Sequence, residues 1–505
     1  MLGLSSRFRP HPRYLVASLA GLAFAFVVSQ AVTLESRYLI AFVGGVILLS
    51  LGMSMVGNIR DVLLYVLAFN LPFTSIEKGF LITDQPTFVV SAIAVGLTDL
   101  CLVSLYALWF ASIFVAKTEK LPKLTKLDWW VFAFVVAHVV SLLNATSAVL
   151  TIYEIIRVAK YALLYFYVAH HVRRRHLKWI VAGILFAISL ESAIGIVQQR
   201  SGTLVGVGRT KGDSELQYEQ GTVPGFEEVR RAEGTTFDPH TLGLFFAMTL
   251  PVPLVLALSP QVRVLHRLLA AAVLVVGASC LAITFARASW LAFGGACLVV
   301  IWCLARWKQW SSIALASIIT LFLAVSATVP FADWIHQRLF EAPPELVTTR
   351  FETLGMAMEI WKQSPLTGCG ANGYLAATQK VLSVFEGDPY FVPAHNMMVM
   401  IMTELGIIGI VGFLGLSGAA VLTGWRVTQT NDPLLRSLGG ALLAGFIALQ
   451  IEGLTDPIYI TNVTYFLLWF ELGVTAALYS MCRTAPALSP AASRSARAGE
   501  EPALA

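Results

Sequence analysis

Charge is what this sequence has least of. Asp, Glu, Lys and Arg make up 13% of its 505 residues, about half the share in an ordinary soluble domain. So few ionisable side chains cannot clothe a water-facing surface, which excludes a soluble globular enzyme. The net charge is only +5 and follows from basic loops rather than from a continuous basic face, so nucleic acid is excluded as a partner. Cysteine is scarce too, with six in all. Cys101, Cys280, Cys297 and Cys303 fall in apolar runs, Cys482 at the end of the last run and Cys369 in a polar loop. That scatter offers neither a disulfide framework nor metal-ligand spacing. No internal repeat supports a carrier built from two similar halves.

What fills the chain is apolar: 57% of residues are hydrophobic and the mean hydropathy is +0.73. Since about 20 apolar residues cross a bilayer core, the runs predict an all-α integral membrane protein with about fourteen transmembrane helices. They lie near 14–34, 38–56, 61–76, 88–115, 129–147, 151–170, 179–198, 240–258, 267–285, 288–305, 311–330, 396–424, 437–455 and 463–482. The first run lacks a convincing cleavage site and reads as an uncleaved span. An even number of spans puts both termini on one side. Every short basic loop then falls with them, which makes that side cytoplasmic. The polytopic domain covers 1–484, with external loops at 199–239 and 331–395. The Ala-, Ser- and Pro-rich tail 485–505 reads as disordered.

Chemistry-bearing residues gather at the external ends of spans. In the larger loop, Phe351, Leu354, Met358 and Trp361 recur at helical spacing, and Ser364-Pro365 stops that helix. A glycine-rich turn, Gly368-Cys-Gly-Ala-Asn-Gly373, follows. His395 and Asn396 then open a long apolar helix. His395 suits a general base at a helix N-terminus, where the positive dipole end keeps imidazole neutral; Asn396 is equally a helix cap. In the smaller loop, Arg230 and Arg231 offer guanidinium forks to a phosphate or are two solvated arginines beside Glu227, Glu228 and Glu233. Arg287 sits between two spans with almost no loop, where an unpaired charge is costly. Arg157 and Lys160 lie two turns into a span. They are either the deep wall of an anion pocket or, for Arg157, a local pair with Glu154. Glu191, Glu404, Glu452 and Asp456 lie in the outer parts of spans, and Glu404 is expected in an ion pair with an arginine.

Three stretches carry a family resemblance: Arg231-Ala-Glu-Gly-Thr-Thr-Phe-Asp-Pro-His-Thr-Leu-Gly243, Thr284-Phe-Ala-Arg-Ala-Ser-Trp290, and Arg350 through Pro365-Leu-Thr-Gly-Cys-Gly370, His395-Asn396 and Glu404-Leu-Gly406. In order and membrane placement this sequence resembles the O-antigen ligase and O-antigen or exopolysaccharide polymerase superfamily over roughly residues 190–410. It departs at His240, where the pattern has Asn, and at Ala286, where Ser is common. The resemblance implies a C-type glycosyltransferase architecture in the bacterial inner membrane, with its site facing the periplasm. It implies a glycan on undecaprenyl pyrophosphate as donor. The acceptor would be a sugar hydroxyl, on a second lipid-linked unit for a polymerase or on lipid A–core for a ligase, and a chain-length regulator is a further partner. It implies no metal and no cofactor. Direct, inverting displacement is expected because the sequence shows no carboxylate nucleophile beside the basic cluster. The catalytic residues would be His395, Arg287 and Arg231, with Arg230, Arg350, Arg157, Lys160, Asn396, Glu404 and His240 binding substrate. A transporter or lipid flippase is the reading from another class, although only Asp99 lies near a midplane, where a carrier concentrates its charge.

Overall fold

The computed structural model describes residues 58–201, 222–317, 344–382 and 393–484, apart from 76, 86, 88, 224, 225, 315, 459 and 460. The helices are α1 Ile59–Phe69, α2 Leu97–Phe110 (extended by a π turn, Ala111–Val115), α3 Lys126–Ser141, α4 Ala148–His171 and α5 Leu177–Ser201. There follow α6 Pro239–Thr249, α7 Pro251–Leu258, α8 Val264–Ile283, α9 Arg287–Arg306, α10 Pro344–Gln363 and α11 Tyr374–Leu382. The last three are α12 Met397–Thr428, α13 Pro433–Glu452 and α14 Asn462–Thr484. Two short antiparallel hairpins join them. In one, β1 Lys78–Phe80 pairs with β2 Ile93–Val95, with Gly79 opposite Ala94. In the other, β3 Thr222–Val223 pairs with β4 Phe226–Arg230.

Among the described residues nine helical segments are long and apolar enough to cross a membrane, so the all-α membrane class holds and fourteen spans are not confirmed. The expected spans 14–34 and 38–56, most of 311–330 and the tail 485–505 lie outside the described residues. The expected span 61–76 is an 11-residue helix followed by a 3-10 turn, Leu71–Ser75, only about 16 Å of helix. The expected span 88–115 starts later, at Leu97, because the hairpin occupies 93–95 and Gly96 takes the cap position, its N–H bonded to Asp99 at 2.8 Å. The 24-residue α4 is long enough to span but carries Glu154, Arg157 and Lys160.

Helix starts follow local chemistry. Asp238, Asn396 and Asp432 each accept the orphan N–H groups of the turn they precede, at 2.7–3.1 Å, and Pro239 and Pro433 fill first-turn positions that need no donor. Apart from His240, the α6–α7 rod is buried along its length, packed against α8, α9 and α13, so it meets protein and not lipid. Between apolar helices in a bilayer, close fit rather than water exclusion gives cohesion. The backbones accordingly approach at small residues: a Cβ on Gly445 would strike the Met248 carbonyl, and one on Gly183 the Tyr65 carbonyl.

The strongest local constraint lies in the long helix α12. Gly406 is left-handed there, at φ 65° and ψ −163°, and breaks it. The loop Pro365–Gly370 fills the break. Cys369 and Gly370 donate their N–H groups to the Thr403 and Glu404 carbonyls, at 3.0 and 3.1 Å, while Ile407 and Ile408 donate to Pro365 and Leu366, at 2.9 and 3.2 Å. The backbone groups freed by the break are thus bonded inside the protein, as an apolar medium demands. Both approaches need glycine. A Cβ on Gly368, itself at φ +70°, would fall under 3.0 Å from the Glu404 carbonyl, and one on Gly406 under 3.0 Å from that of Leu366. The expected amphipathic helix before this loop is α10, and it ends at Gln363 as Ser364-Pro365 requires. Its buried line is Thr353, Ala357 and Ile360, with Phe351 exposed instead.

Gly368→Ala or Gly406→Ala is therefore expected to cost several kcal/mol of stability, from strain added to a backbone clash (about 1–3 kcal/mol each), or to abolish folded yield. Gly418→Ala, an exposed helical position with open space around it, should leave stability unchanged or raise it by about 0.5–1 kcal/mol. Thermal unfolding of the three variants in detergent checks both statements.

Candidate active site

The site is assembled at one end of the bundle from four separate stretches. The first is the loop Arg231–Asp238, which is moulded by α5. Gln198 bonds the Gly234 N–H at 2.8 Å and the Gly234 carbonyl at 2.9 Å, and the buried Glu191 accepts the Thr235 N–H at 3.0 Å and the Thr235 hydroxyl. Gly234 and Phe237 adopt positive φ, 58° and 61°, within this turn. The loop is stitched to the α8–α9 corner by Ala232 N–H to Ile283 at 3.0 Å and by Arg231 Nε to the Thr284 carbonyl at 2.8 Å. Arg231 is buried to 7% exposure, and that burial lowers its guanidinium from the ordinary arginine range, opposed by Asp238, Glu233 and Asp456.

The second stretch is the α8–α9 corner with Arg287, whose exposed guanidinium bears electrostatically on Arg231. The exposed Arg350 of α10 bears on Arg287 in turn. Three arginines distant in sequence thus form a chain of neighbouring cations, Arg287 bearing on Arg231 and Arg350 on Arg287, an arrangement suited to an anion.

The third and fourth stretches are the start of α12 and the end of α13. Met397 N–H bonds the Gly453 carbonyl at 2.8 Å, and Asn396 Nδ2 bonds the Leu454 carbonyl at 3.0 Å while its oxygen caps α12. This docking presents His395 to Asp456: Nδ1 stands 3.4 Å from Oδ1. The other Asp456 oxygen faces His240 Nδ1 at 3.7 Å, and His240 Nε2 lies 3.4 Å from Arg231 Nη2. Beneath them Ser289 donates to Glu452 Oε1 at 2.7 Å, and Glu452 Oε2 is buried with no hydrogen-bond partner among the described residues. His240, Glu452 and Asp456 could hold a metal ion, each offering one ligand atom within 4.8 Å of the others. Within that set Asp456 also faces His395 Nδ1, while His240 Nδ1, like Glu452 Oε2, is buried with no hydrogen-bond partner among the described residues.

Arg231, His240 and His395 therefore gather around Asp456, while Arg287 bears on Arg231 and Arg350 on Arg287. Asn396 serves the fold, as the cap it was equally read to be. Arg230 ends β4 opposite Thr222. Glu404 accepts the Tyr374 N–H at 3.3 Å within the α12 break. It lines a separate, mainly apolar cavity with His138, Glu154 and Tyr465.

Arg157 and Lys160 belong to another cluster. Arg157 holds Glu154 through two bonds of 2.8 Å, reaches Asn462 at 3.2 Å and lies over the Tyr465 ring, so the local pair is realised. Lys160 sits 3.3 Å from Asp99 and 3.7 Å from Glu77. Asp456 and Glu452 are the residues that sequence reasoning noted without assigning to the site. A signal was present: Glu452 ends a helix and Asp456 follows by four residues, at the negative pole where a carboxylate is disfavoured.

In that second cluster burial pushes the Glu77 carboxyl up to about 7, against the pull of Lys160. A carboxyl that holds its proton more tightly when folded loses stability as pH rises, here between about 4.5 and 7. Glu77→Gln should flatten that decline, by at most about 3 kcal/mol. Melting temperatures of both proteins measured from pH 4.5 to 8 test this, and parallel curves would contradict it.

No curated protein matches the chain. The family model described as O-Antigen ligase matches residues 272–414, a stretch that holds Arg287, Arg350, the Pro365–Gly370 loop, His395 and Gly406. That family consists of O-antigen ligase- and polymerase-type membrane enzymes, and the match supports the superfamily to which the motifs of this chain point.

Proposed function

We propose that this protein is a membrane glycosyltransferase that polymerises glycan repeat units, moving a glycan from undecaprenyl pyrophosphate to a sugar hydroxyl. The observation that carries the reading is Arg231 beside the His240, Asp456 and His395 cluster, with Arg287 bearing on Arg231 and Arg350 on Arg287. The acceptor hydroxyl attacks the anomeric carbon and gives its proton to His395 Nε2. Asp456, facing Nδ1, holds the ring in the tautomer that leaves Nε2 free and stabilises the imidazolium that forms. The bond from the anomeric carbon to the pyrophosphate oxygen breaks, its electron pair leaves with undecaprenyl pyrophosphate, and the guanidinium groups stabilise the charge that grows there.

The expectation of direct displacement rested on there being no carboxylate beside the basic cluster, and Asp456 and Glu452 now stand there. Asp456 turns both oxygens to imidazoles, and Glu452 is buried with one oxygen held by Ser289. Neither is placed as a nucleophile, which favours inversion in one step. The site faces the periplasm on this reading. The basic residues Arg173, Arg174, Arg175, Lys178, Arg306 and Lys308 lie at the opposite helix ends, as cytoplasmic loops require.

With a defined lipid-linked repeat unit, His395→Ala should lower turnover by about 10²–10⁴ and Arg231→Ala by about 10²–10³, with melting temperatures close to wild type. Wild-type turnover by well-folded His395→Ala enzyme would refute the assignment. Product analysis separates two outcomes: chain extension supports a polymerase, and transfer only to lipid A–core supports a ligase.

A further inference from the structure

Position 240 is where this chain departs from the superfamily pattern, and the histidine there completes a set of donor atoms. His240 stands at the start of α6, Glu452 ends α13 and Asp456 follows by four residues. One ligand atom from each lies within 4.8 Å of the others, and His240 Nδ1 stands 3.7 Å from Asp456 Oδ2. Glu452 is 1% exposed. Its Oε1 takes the Ser289 hydroxyl at 2.7 Å, while its Oε2, like His240 Nδ1, is buried with no hydrogen-bond partner among the described residues. A carboxylate oxygen left unanswered in the interior is costly unless a proton or a cation meets it. The charges bearing most on Glu452 are Asp456 and Asp238, both of its own sign. Around His240 the same two carboxylates stand against the Arg231 guanidinium and the His395 ring. Three carboxylates gathered about one imidazole favour a cation between them.

We propose that His240, Glu452 and Asp456 form a binding site for a divalent transition-metal ion of the zinc type, joining the start of α6 to the end of α13. The site goes beyond the glycosyl-transfer reading and does not depend on it. Zinc takes imidazole nitrogen and carboxylate oxygen at about 2.0–2.2 Å, so two tetrahedral donors stand about 3.4 Å apart. The His240–Asp456 pair, at 3.7 Å, is already near that spacing, and the whole set, within 4.8 Å, closes by shifts of about 1–1.5 Å. A nitrogen donor beside two carboxylates selects zinc over magnesium or calcium, which take oxygen ligands. Three protein ligands leave one tetrahedral position open. Glu452 is the buried floor, and the partly exposed His240 and Asp456 give the ion its way in. Groups behind the ligands hold two of them: Ser289 keeps Glu452 Oε1 at 2.7 Å, and Asp456 Oδ1 stays toward His395 Nδ1 at 3.4 Å. Ligation through Nδ1 leaves the ring proton on Nε2. Arg231 Nη2, 3.4 Å from that nitrogen, then gives up the contact while its Nε stays on the Thr284 carbonyl. Asparagine at 240 would offer only an amide oxygen, a poorer zinc ligand than imidazole.

The test uses the untagged full chain in nanodiscs, stripped with chelator, desalted and titrated with zinc chloride, with magnesium chloride in parallel and empty nanodiscs as blank. Bound metal is counted by elemental analysis, affinity is measured by calorimetry, and melting temperature is followed alongside. The variants are His240→Asn, Glu452→Gln and, as a control, Glu359→Gln, an exposed acid paired with Lys362 on α10. The expected result is one zinc per chain in wild type and Glu359→Gln, with a melting temperature that zinc raises. His240→Asn and Glu452→Gln should each weaken zinc by about a hundredfold or more, since loss of an outer-shell partner alone costs about 10–100-fold. Magnesium over the same range should leave the melting temperature unchanged. A wild type that holds no stoichiometric zinc, an unchanged affinity in either folded variant, or magnesium bound as tightly as zinc overturns the proposal. If one variant fails to fold, the other decides. No glycan enters the measurement, so failure here leaves the transfer reading standing, and a chain that binds zinc without transferring glycan overturns only that reading.

Discussion

An apolar medium offers no hydrogen bonds, so any backbone that leaves the helical pattern must be satisfied by other backbone. The break in α12 is where this protein meets that demand. Four main-chain bonds tie the Pro365–Gly370 loop to both sides of Gly406. The short first half of α12 is thereby fixed in place, and with it the His395 that precedes it. The same loop and the residue after it reach across to α4 and the turn before it, where the Cys369 carbonyl accepts the Thr146 N–H at 2.7 Å and the Ala371 carbonyl accepts the Thr151 hydroxyl at 3.0 Å. The glycine-rich turn is thus a structural joint, and the charged groups are arranged around what it holds still.

On that joint the site follows a simple division. Guanidinium groups come from the Arg231 loop, the α8–α9 corner and α10. Imidazole comes from the starts of α6 and α12, and carboxylate from the end of α13. No single helix contributes the whole set, so the cluster exists only when the bundle is closed. The support beneath it is unusually direct: Glu191 and Gln198 shape the Arg231 loop, Thr284 holds its arginine, and Ser289 holds Glu452. Positioning groups that are themselves hydrogen-bonded and buried keep a site preorganised.

Much of this was legible in the sequence, and the reasons for the remainder are physical. Hydropathy reveals helices because the bilayer imposes their length, which is why α8, α9, α12 and α13 fall close to their expected places. It could not reveal the hairpin at 78–95, whose apolar side chains look like the start of a span, nor which face α10 buries, because Thr353 and Ala357 are weak hydrophobic signals. The arginines and His395 stood out in the sequence because cations at the membrane edge are costly and need a reason. Arg157 is the instructive opposite. Its charge is as costly, but Glu154 three residues earlier answers it, and spacing alone could not say whether that pair was the whole account. Asp456 was hidden by ordinary context: a carboxylate next to proline at a helix end reads as a turn until its two imidazole neighbours are seen.

The paired glycines of the α12 break carry a genetic corollary. What obstructs a side chain at Gly368 is the main chain of Glu404 and Leu405, and what obstructs one at Gly406 is the main chain of Leu366 and Thr367. Trimming a neighbouring side chain cannot relieve either collision, since every residue type carries the same peptide atoms. Revertants of such lesions would have to restore the glycine or change the length of the chain, which makes the two positions a locus without substitution suppressors.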